Sequence, residues 1–341
     1  MTFDERAREE RRETDTRAAL DRALRSLEKA KATREELVAA VYSAAKDAAE
    51  TMTVPPVPKP KAHDKKRPPE TAVCILADWQ VGKTTPTYDS EVAADRVRLY
   101  AEKVARLIAL HHAPVDEAVV MLLGDLVEGE LIFPGQSHRI DASLYRQTFH
   151  VAQLLAEIVR TIAAAVPAVR VVGVIGNHGA IGGPVRRESH PETNADAMAY
   201  NVARLLVEKE PRIDWEETFV RHERAWYRTV EVRGRQWWLF HGDQIKGGAF
   251  GYPWYGLNKR LLGWQTSVAP FDYSASGHWH QPVRVQVNTV THWGAGSTES
   301  SNTFAQEYLA SGGQEPSQWL IFQGDDGVTA EYLVRLGRVA G

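Results

Sequence analysis

Three short apolar runs, 72–77, 118–123 and 170–175, each stop at a cluster of polar residues, and helical stretches lie between them. A run that is apolar at every position cannot be a half-wet strand, because successive side chains point to opposite faces of a sheet. These runs therefore predict strands buried on both sides. Residues 90–111, 142–165 and 194–208 have helical spacing, so the first half reads as β-α-β units around a parallel sheet. The second half is different. Segments 226–232, 236–240, 273–275, 283–288, 319–322 and 328–333 are shorter, more alternating and separated by turns, which predicts antiparallel pairing. No internal repeat interrupts this plan.

Residues 4–51 contain neither Gly nor Pro, and Leu20, Leu24, Leu27, Leu37, Val41, Ala45 and Ala48 recur at helical spacing. This predicts an N-terminal helical arm over 1–51 that packs on its own domain or self-associates into a homo-oligomer. A DNA-contacting arm is the alternative, weakened by the acids interleaved with its bases. Residues 52–70 form a Pro/Lys linker, since proline removes backbone donors and favours extended chain. The remaining 71–341 form the main domain.

The 341-residue chain is 43% hydrophobic and 25% charged, as ordinary globular proteins are, and its formal net charge of -3 makes no global case for nucleic acid. Its single cysteine, Cys74, excludes an intramolecular disulfide and a thiolate zinc cluster. The start, Met-Thr-Phe-Asp-Glu-Arg, has no apolar stretch behind a basic one, so no signal peptide is expected. No apolar run reaches the roughly 18 residues of a membrane span. The expectation is a soluble cytoplasmic protein.

Five polar clusters carry the chemistry. They are Asp78-Trp79-Gln80, Gly124-Asp125-Leu126-Val127-Glu128, Gly176-Asn177-His178, His241-Gly242-Asp243 and Gly277-His278-Trp279-His280. Singly each is weak, because Asp or His at a strand end is usually a cap or turn residue. Together they supply the carboxylates, amide and imidazoles that divalent first-row metals take, and one carboxylate can bridge two ions about 3.5–4 Å apart. Strand C-termini are also where ligands bind in open α/β sheets.

In order and content the clusters resemble the calcineurin-like metallophosphoesterases, over roughly residues 72–300. The family's pattern is Asp-x-His, Gly-Asp-x-x-Asp/Glu, Gly-Asn-His-Asp/Glu, His and Gly-His-x-His. The resemblance implies an α/β fold, a four-layer α-β-β-α sandwich, here with an N-terminal helical extension. It implies a first metal held by Asp78, Gln80, Asp125 and His280, and a second held by Asp125, Asn177, His241 and His278. His178 would be the catalytic group that protonates the leaving oxygen. Two divalent ions are expected, manganese first, with magnesium, iron, zinc or nickel as other candidates.

The chain departs from that pattern twice. Gln80 replaces the histidine of the first motif, and its neutral amide oxygen either weakens the first site for zinc or does not bind at all. Gly179 replaces the carboxylate that follows the catalytic histidine, so His178 needs another partner, with Asp243 and Glu128 as candidates.

Substrate choice lies elsewhere. Arg186 and Arg187 follow the third cluster in a Gly-rich loop, where paired guanidinium groups can grip a backbone phosphate. After the fourth cluster, Tyr252, Trp254, Tyr255 and Trp264 mix with Lys246, Lys259 and Arg260. Bases stack on such rings while cations track phosphates, although the same rings can simply pack the loop. His292 lies close enough in sequence to the closing segment 294–298 to reach the site. The layout is most similar to nuclease-like members of the family related to double-strand-break repair nucleases, including phage and prophage versions. The first expectation is a phosphodiesterase or nuclease acting on DNA. A small-molecule phosphatase or cyclic-nucleotide phosphodiesterase is the alternative, and an inactive binding scaffold on the same fold is the second.

Overall fold

The computed structural model describes residues 36, 38–47, 49, 57–60, 66–133, 135–181, 190–216, 226–246, 252–300 and 315–337. A helix over residues 38–47 (α1) comes first. It is followed by β1 (Glu70–Leu76), α2 (Ser90–Leu110), β2 (Val115–Leu122), α3 (Leu144–Ala163), β3 (Ala168–Gly173), α4 (Ala195–Val207) and β4 (Ile213–Trp215). The second half holds β5 (Tyr227–Val232), β6 (Arg235–Phe240), α5 (Trp254–Ser267), β7 (Tyr273–Ser276), β8 (Val283–Val287), β9 (Val290–Gly294), β10 (Ser317–Gly324) and β11 (Gly327–Arg335).

The strands form two sheets, one of six strands in the order β11-β10-β1-β2-β3-β4 and one of five in the order β5-β6-β7-β9-β8. The unbroken apolar runs are explained by what covers them. Ala72, Cys74 and Leu76 of β1 and Ala118, Val120 and Leu122 of β2 pack with the helices α2, α3 and α4. Their neighbours Val73, Ile75, Val119 and Met121 face the second sheet and meet Trp237, Leu239, Ala275 and Trp293. The far side of the second sheet, through Trp238 and Phe240, is covered by Leu257, Leu261 and Trp264 of α5. The layers therefore run helices, sheet, sheet, helix. This is the expected α-β-β-α sandwich.

The helices start where local chemistry says they should. Asp89 accepts the backbone N–H of Val92 at 2.8 Å to cap α2, and Asn194 accepts that of Asp196 at 2.8 Å to cap α4. Strands β1, β2 and β3 are parallel, as the β-α-β reading requires.

In the second half, pairing is antiparallel for β5 with β6, β8 with β9 and β10 with β11. It is parallel for β6 with β7 and for β7 with β9, against expectation. Between β7 and β9 the chain runs back along the edge strand β8; between β6 and β7 the reason is the crossover. Residues 241–272 carry α5 between β6 and β7, which gives the length a parallel return needs. Strands β4 and β9 were not anticipated from the sequence. β4 spans only three residues, and β9 contains His292.

Of the expected arm, residues 1–35 lie outside the described residues. In α1, Val41 and Ala45 are buried, and Ala45 and Val57 belong to the same apolar cluster as α2 and α3. Arg212 donates to the carbonyls of Val57 and Pro58 at 3.2 and 3.3 Å, which ties this stretch to the sandwich. No described helix is long and apolar enough to cross a membrane.

Candidate metal centre

All five polar clusters leave the C-terminal ends of parallel strands. Asp78, Asp125 and Asn177 follow β1, β2 and β3, while His241 and His278 follow β6 and β7. Parallel pairing within each sheet makes these ends coincide at one edge of the sandwich. The backbone there is bent sharply. Asp78, Gln80, Asp125, His278 and His280 lie in the left-handed region at φ 54°, 46°, 54°, 76° and 54°. Such a conformation costs a non-glycine residue of the order of 1–3 kcal/mol and persists where the surroundings impose it. The loops after β2 and β3 also approach so closely that a Cβ at Gly124 would strike the backbone of Gly176, and one at Gly176 would strike the Asp125 carboxylate.

Asp196 holds those two loops together. Its carboxylate, at the N-terminus of α4, accepts the backbone N–H groups of Asp125 (2.9 Å), Leu126 (3.0 Å) and Gly176 (2.9 Å). Burial and the neighbouring Asp125 charge push its pKa up to about 6. Asp196 was missed from the sequence, where it reads as an ordinary helix-start acid.

Asp125, His241 and His278 bring one ligand atom each within 4.8 Å of one another. His241 donates Nδ1–H to the Leu123 carbonyl at 2.6 Å, which leaves Nε2 pointing at Asp125 Oδ2, 2.9 Å away. Burial disfavours the imidazolium, but without an ion Asp125 outweighs it and raises the His241 pKa to about 10, so Nε2–H donates to Asp125 Oδ2. Without that proton two acceptors would face each other, the place a cation would take. Asn177 Oδ1 is buried with no donor among the described residues. His278 is kept neutral, the form a metal requires, because burial and then the His241 charge push its pKa down to about 3. This set of one carboxylate, one amide oxygen and two imidazoles fits a divalent first-row metal.

His178 sits beside this group with its side chain 14% exposed. Its Nδ1 donates to the Glu128 carbonyl at 2.7 Å and lies 3.3 Å from Glu128 Oε2. Glu128, the last residue of the second cluster, is therefore the partner that Gly179 cannot be. There is no room for a carboxylate at Gly179, since a Cβ there would run into Asn194 Oδ1. Burial disfavours the imidazolium, but Asp125 and Glu128 outweigh it and hold the His178 pKa at about 9. A protonated His178 at neutral pH can give a proton to a leaving oxygen.

The Asp78 side assembles differently from the expectation. Gln80 Oε1 accepts a hydrogen bond from Lys83 Nζ at 2.7 Å, and its Nε2 faces His280 Nε2 at 3.1 Å. Gln80 thus turns its NH₂, a donor, toward the position where a ligand atom was expected. His280 Nδ1 donates to Glu299 Oε1 at 2.6 Å, and Glu299 also pairs with Lys83. Lys83 and Glu299 were not anticipated. The first could have been suspected from its place three residues beyond Gln80. The second comes from a loop after β9 and has no local signal. The segment 294–298 does close the core, with Ser297 Oγ donating to the Asp78 carbonyl at 2.6 Å.

The expected substrate contacts divide. Arg186 and Arg187 lie outside the described residues. Tyr252 is buried and its hydroxyl is 3.1 Å from His292 Nε2, so its ring packs the core under α5 and offers no face to a base. Trp264 is buried in the same cluster. Trp254 (42% exposed) and Tyr255 (83% exposed) stand on the surface, as does Lys246. His292 does not reach the site. Its partners are Ser274 Oγ (2.9 Å), Ser276 Oγ (3.3 Å) and the Tyr252 hydroxyl.

No family profile matches the chain, and no curated protein matches it. Several solved structures are similar to it. A novel archaeal phosphodiesterase is 10% identical with a TM-score of 0.35, covering 77% of this chain and 99% of its own. Vps29 of Entamoeba histolytica complexed with zinc is 15% identical with a TM-score of 0.37, covering 77% and 92%. A predicted phosphoesterase of Streptococcus pneumoniae is 12% identical with a TM-score of 0.31, covering 77% and 98%. Likeness at this level carries no argument about chemistry, which rests on the side chains above.

Proposed function

We propose that this chain is a metal-dependent hydrolase of phosphoester bonds, a calcineurin-like metallophosphoesterase whose substrate is a phosphodiester and, most specifically, DNA. The observation that carries the hydrolase reading is the group Asp125, His241 and His278, with one ligand atom each within 4.8 Å of one another. Beside it stand the unpartnered Asn177 amide oxygen and His178 Nε2, 4.0 Å from Asp125 Oδ2. Asp125, Asn177, His241 and His278 would hold a divalent ion, manganese in the first instance, which would supply charge to polarise a phosphoryl group and acidify water. The chain's own part is to hold the ligand atoms rigidly through Asp196 and the Leu123 carbonyl, and to present the His178 proton on an orientation fixed by Glu128.

The diester reading is supported by α5, which follows the His241 loop. Tyr255 and Lys259 are exposed and four residues apart, hence on one helix face, with Arg260 exposed beside them. An aromatic ring next to cations suits a base and its flanking phosphates. Arg186 and Arg187 would add phosphate contacts of the same kind.

The test is incubation of manganese-loaded protein with single- and double-stranded DNA, alongside bis-p-nitrophenyl phosphate and its monoester. Cleavage of DNA and preference for the diester are expected. Intact DNA with efficient monoester turnover would move the assignment to a small-molecule phosphatase. No turnover of any substrate by metal-loaded protein would leave a binding scaffold.

A further inference from the structure

The two halves of the site differ in what their acceptor atoms already have. On the Asp125 side, Asp125 Oδ1 accepts the His178 backbone N–H at 2.6 Å and Oδ2 faces His241 Nε2 at 2.9 Å, while Asn177 Oδ1 is buried with no donor among the described residues. On the Asp78 side, His280 Nε2 likewise faces a carboxylate oxygen, Asp78 Oδ1 at 3.5 Å, but the amide of Gln80 is already engaged. Both Asp78 oxygens accept the His278 backbone N–H, at 3.1 and 2.9 Å. Lysine carries donors only, so the Gln80 atom 2.7 Å from Lys83 Nζ is the amide oxygen, and the NH₂ is thereby aimed at His280. His280 Nδ1 donates to Glu299 Oε1, and in the neutral ring Nε2 can accept from that NH₂. The Lys83 contact is what fixes the amide orientation.

Charge points the same way. The Lys83 side chain is 12% exposed, and its ammonium pairs with Glu299 while lying within the field of Glu128 and Asp78. It brings a buried positive charge next to the expected ligands, bonded to Gln80 and to the Glu299 that holds His280. A divalent ion added there would meet the ammonium's repulsion and would find a donor where it needs an acceptor. Lys83 reaches this position because the loop turns back on itself, with Lys83 N–H bonded to the Gln80 carbonyl at 3.1 Å.

We infer that this chain binds a single divalent ion, at Asp125, Asn177, His241 and His278, and that the Lys83 ammonium takes the place of a second ion beside Asp78, Gln80 and His280. This rests on the reading of the Asp125 side as a metal site and replaces the expectation of two ions.

Manganese titration of the stripped full-length protein tests it, read by calorimetry, by metal analysis after desalting and by electron paramagnetic resonance. One equivalent per chain with the hyperfine pattern of an isolated ion is expected. Two equivalents with an exchange-coupled signal would overturn the inference and leave the metal-site reading standing. No bound manganese would overturn both. Two sets of variants sharpen the test, each checked for folding by thermal melting. His280→Ala should keep its one equivalent while His241→Ala keeps none, and loss of the ion in His280→Ala would count against the inference. The double variant Gln80→His/Lys83→Met should gain a second equivalent. If it folds and stays at one, Lys83 is not what excludes the second ion.

Discussion

Asp125 and Asp78 occupy equivalent places, each just after a parallel strand and each in a left-handed turn, yet their surroundings differ. Both carboxylates accept a backbone N–H, Asp125 from His178 and Asp78 from His278, but beside Asp125 the Asn177 amide oxygen is left without a donor among the described residues. Around Asp78 the chain supplies the donors, from Lys83, from the Gln80 amide and from the His278 backbone. A buried acceptor without a donor is costly, and a fold keeps one where something else completes it. The lesson is that ligand identity alone does not make a site. What the neighbours have already bonded to the ligand atoms matters as much.

The comparison is most easily broken at Asp125. Asp125→Asn removes the one charged ligand, and the expected result is loss of bound manganese by elemental analysis, with diester turnover down by at least about a thousandfold. Retention of a full equivalent would mean the ion sits elsewhere. His178→Ala comes next. It should keep the ion but lose on the order of 10²–10³ in kcat, the usual contribution of a general acid. An unchanged kcat would remove His178 from the chemistry.

Glu128→Gln should act more gently, about tenfold on kcat, and through His178. Burial opposes the imidazolium while Asp125 and Glu128 raise its pKa to about 9. Removing one of the two carboxylate charges must lower that pKa, so the alkaline limb of the pH profile should move to lower pH. A limb that stays in place would show that Glu128 only fixes the ring through its carbonyl.

The smallest effect uses a histidine outside the comparison. His292 is buried with hydroxyl partners and no carboxylate partner among the described residues, and burial pushes its pKa down to about 3. Its folded pKa lies below the unfolded value, so the stability it allows is complete above about pH 6.5 and is lost as pH falls toward 3. Between pH 6.5 and 5 this amounts to about 2 kcal/mol. Urea midpoints should therefore fall with acid more steeply in the parent chain than in His292→Gln, and parallel slopes would refute the assignment.

Much of this molecule is legible in the sequence. The runs at 72–77, 118–123 and 170–175 are apolar throughout because both faces of those strands are covered, and that pattern needs no partner to be read. The polar residues that end them are equally local, since each sits where its own strand stops. Asp78, Asp125, Asn177, His241 and His278 are brought to one edge of the sandwich, as their positions after strands imply.

What only the tertiary structure decided is long-range. Strands β6 and β7 pair in parallel because α5 returns the chain across the sheet, and β7 and β9 because the chain first runs back along the edge strand β8; no local alternation encodes either. Glu299 reaches His280 from a loop after β9, and Glu128 meets His178 across fifty residues. Tyr252 resembles a surface stacking residue in sequence but is buried beneath α5. The identity of Gln80 was plain from the start, but the direction of its amide was not. That direction depends on Lys83 and His280, one near in sequence and one two hundred residues away, and hydrogen-bond direction is a property of neighbours.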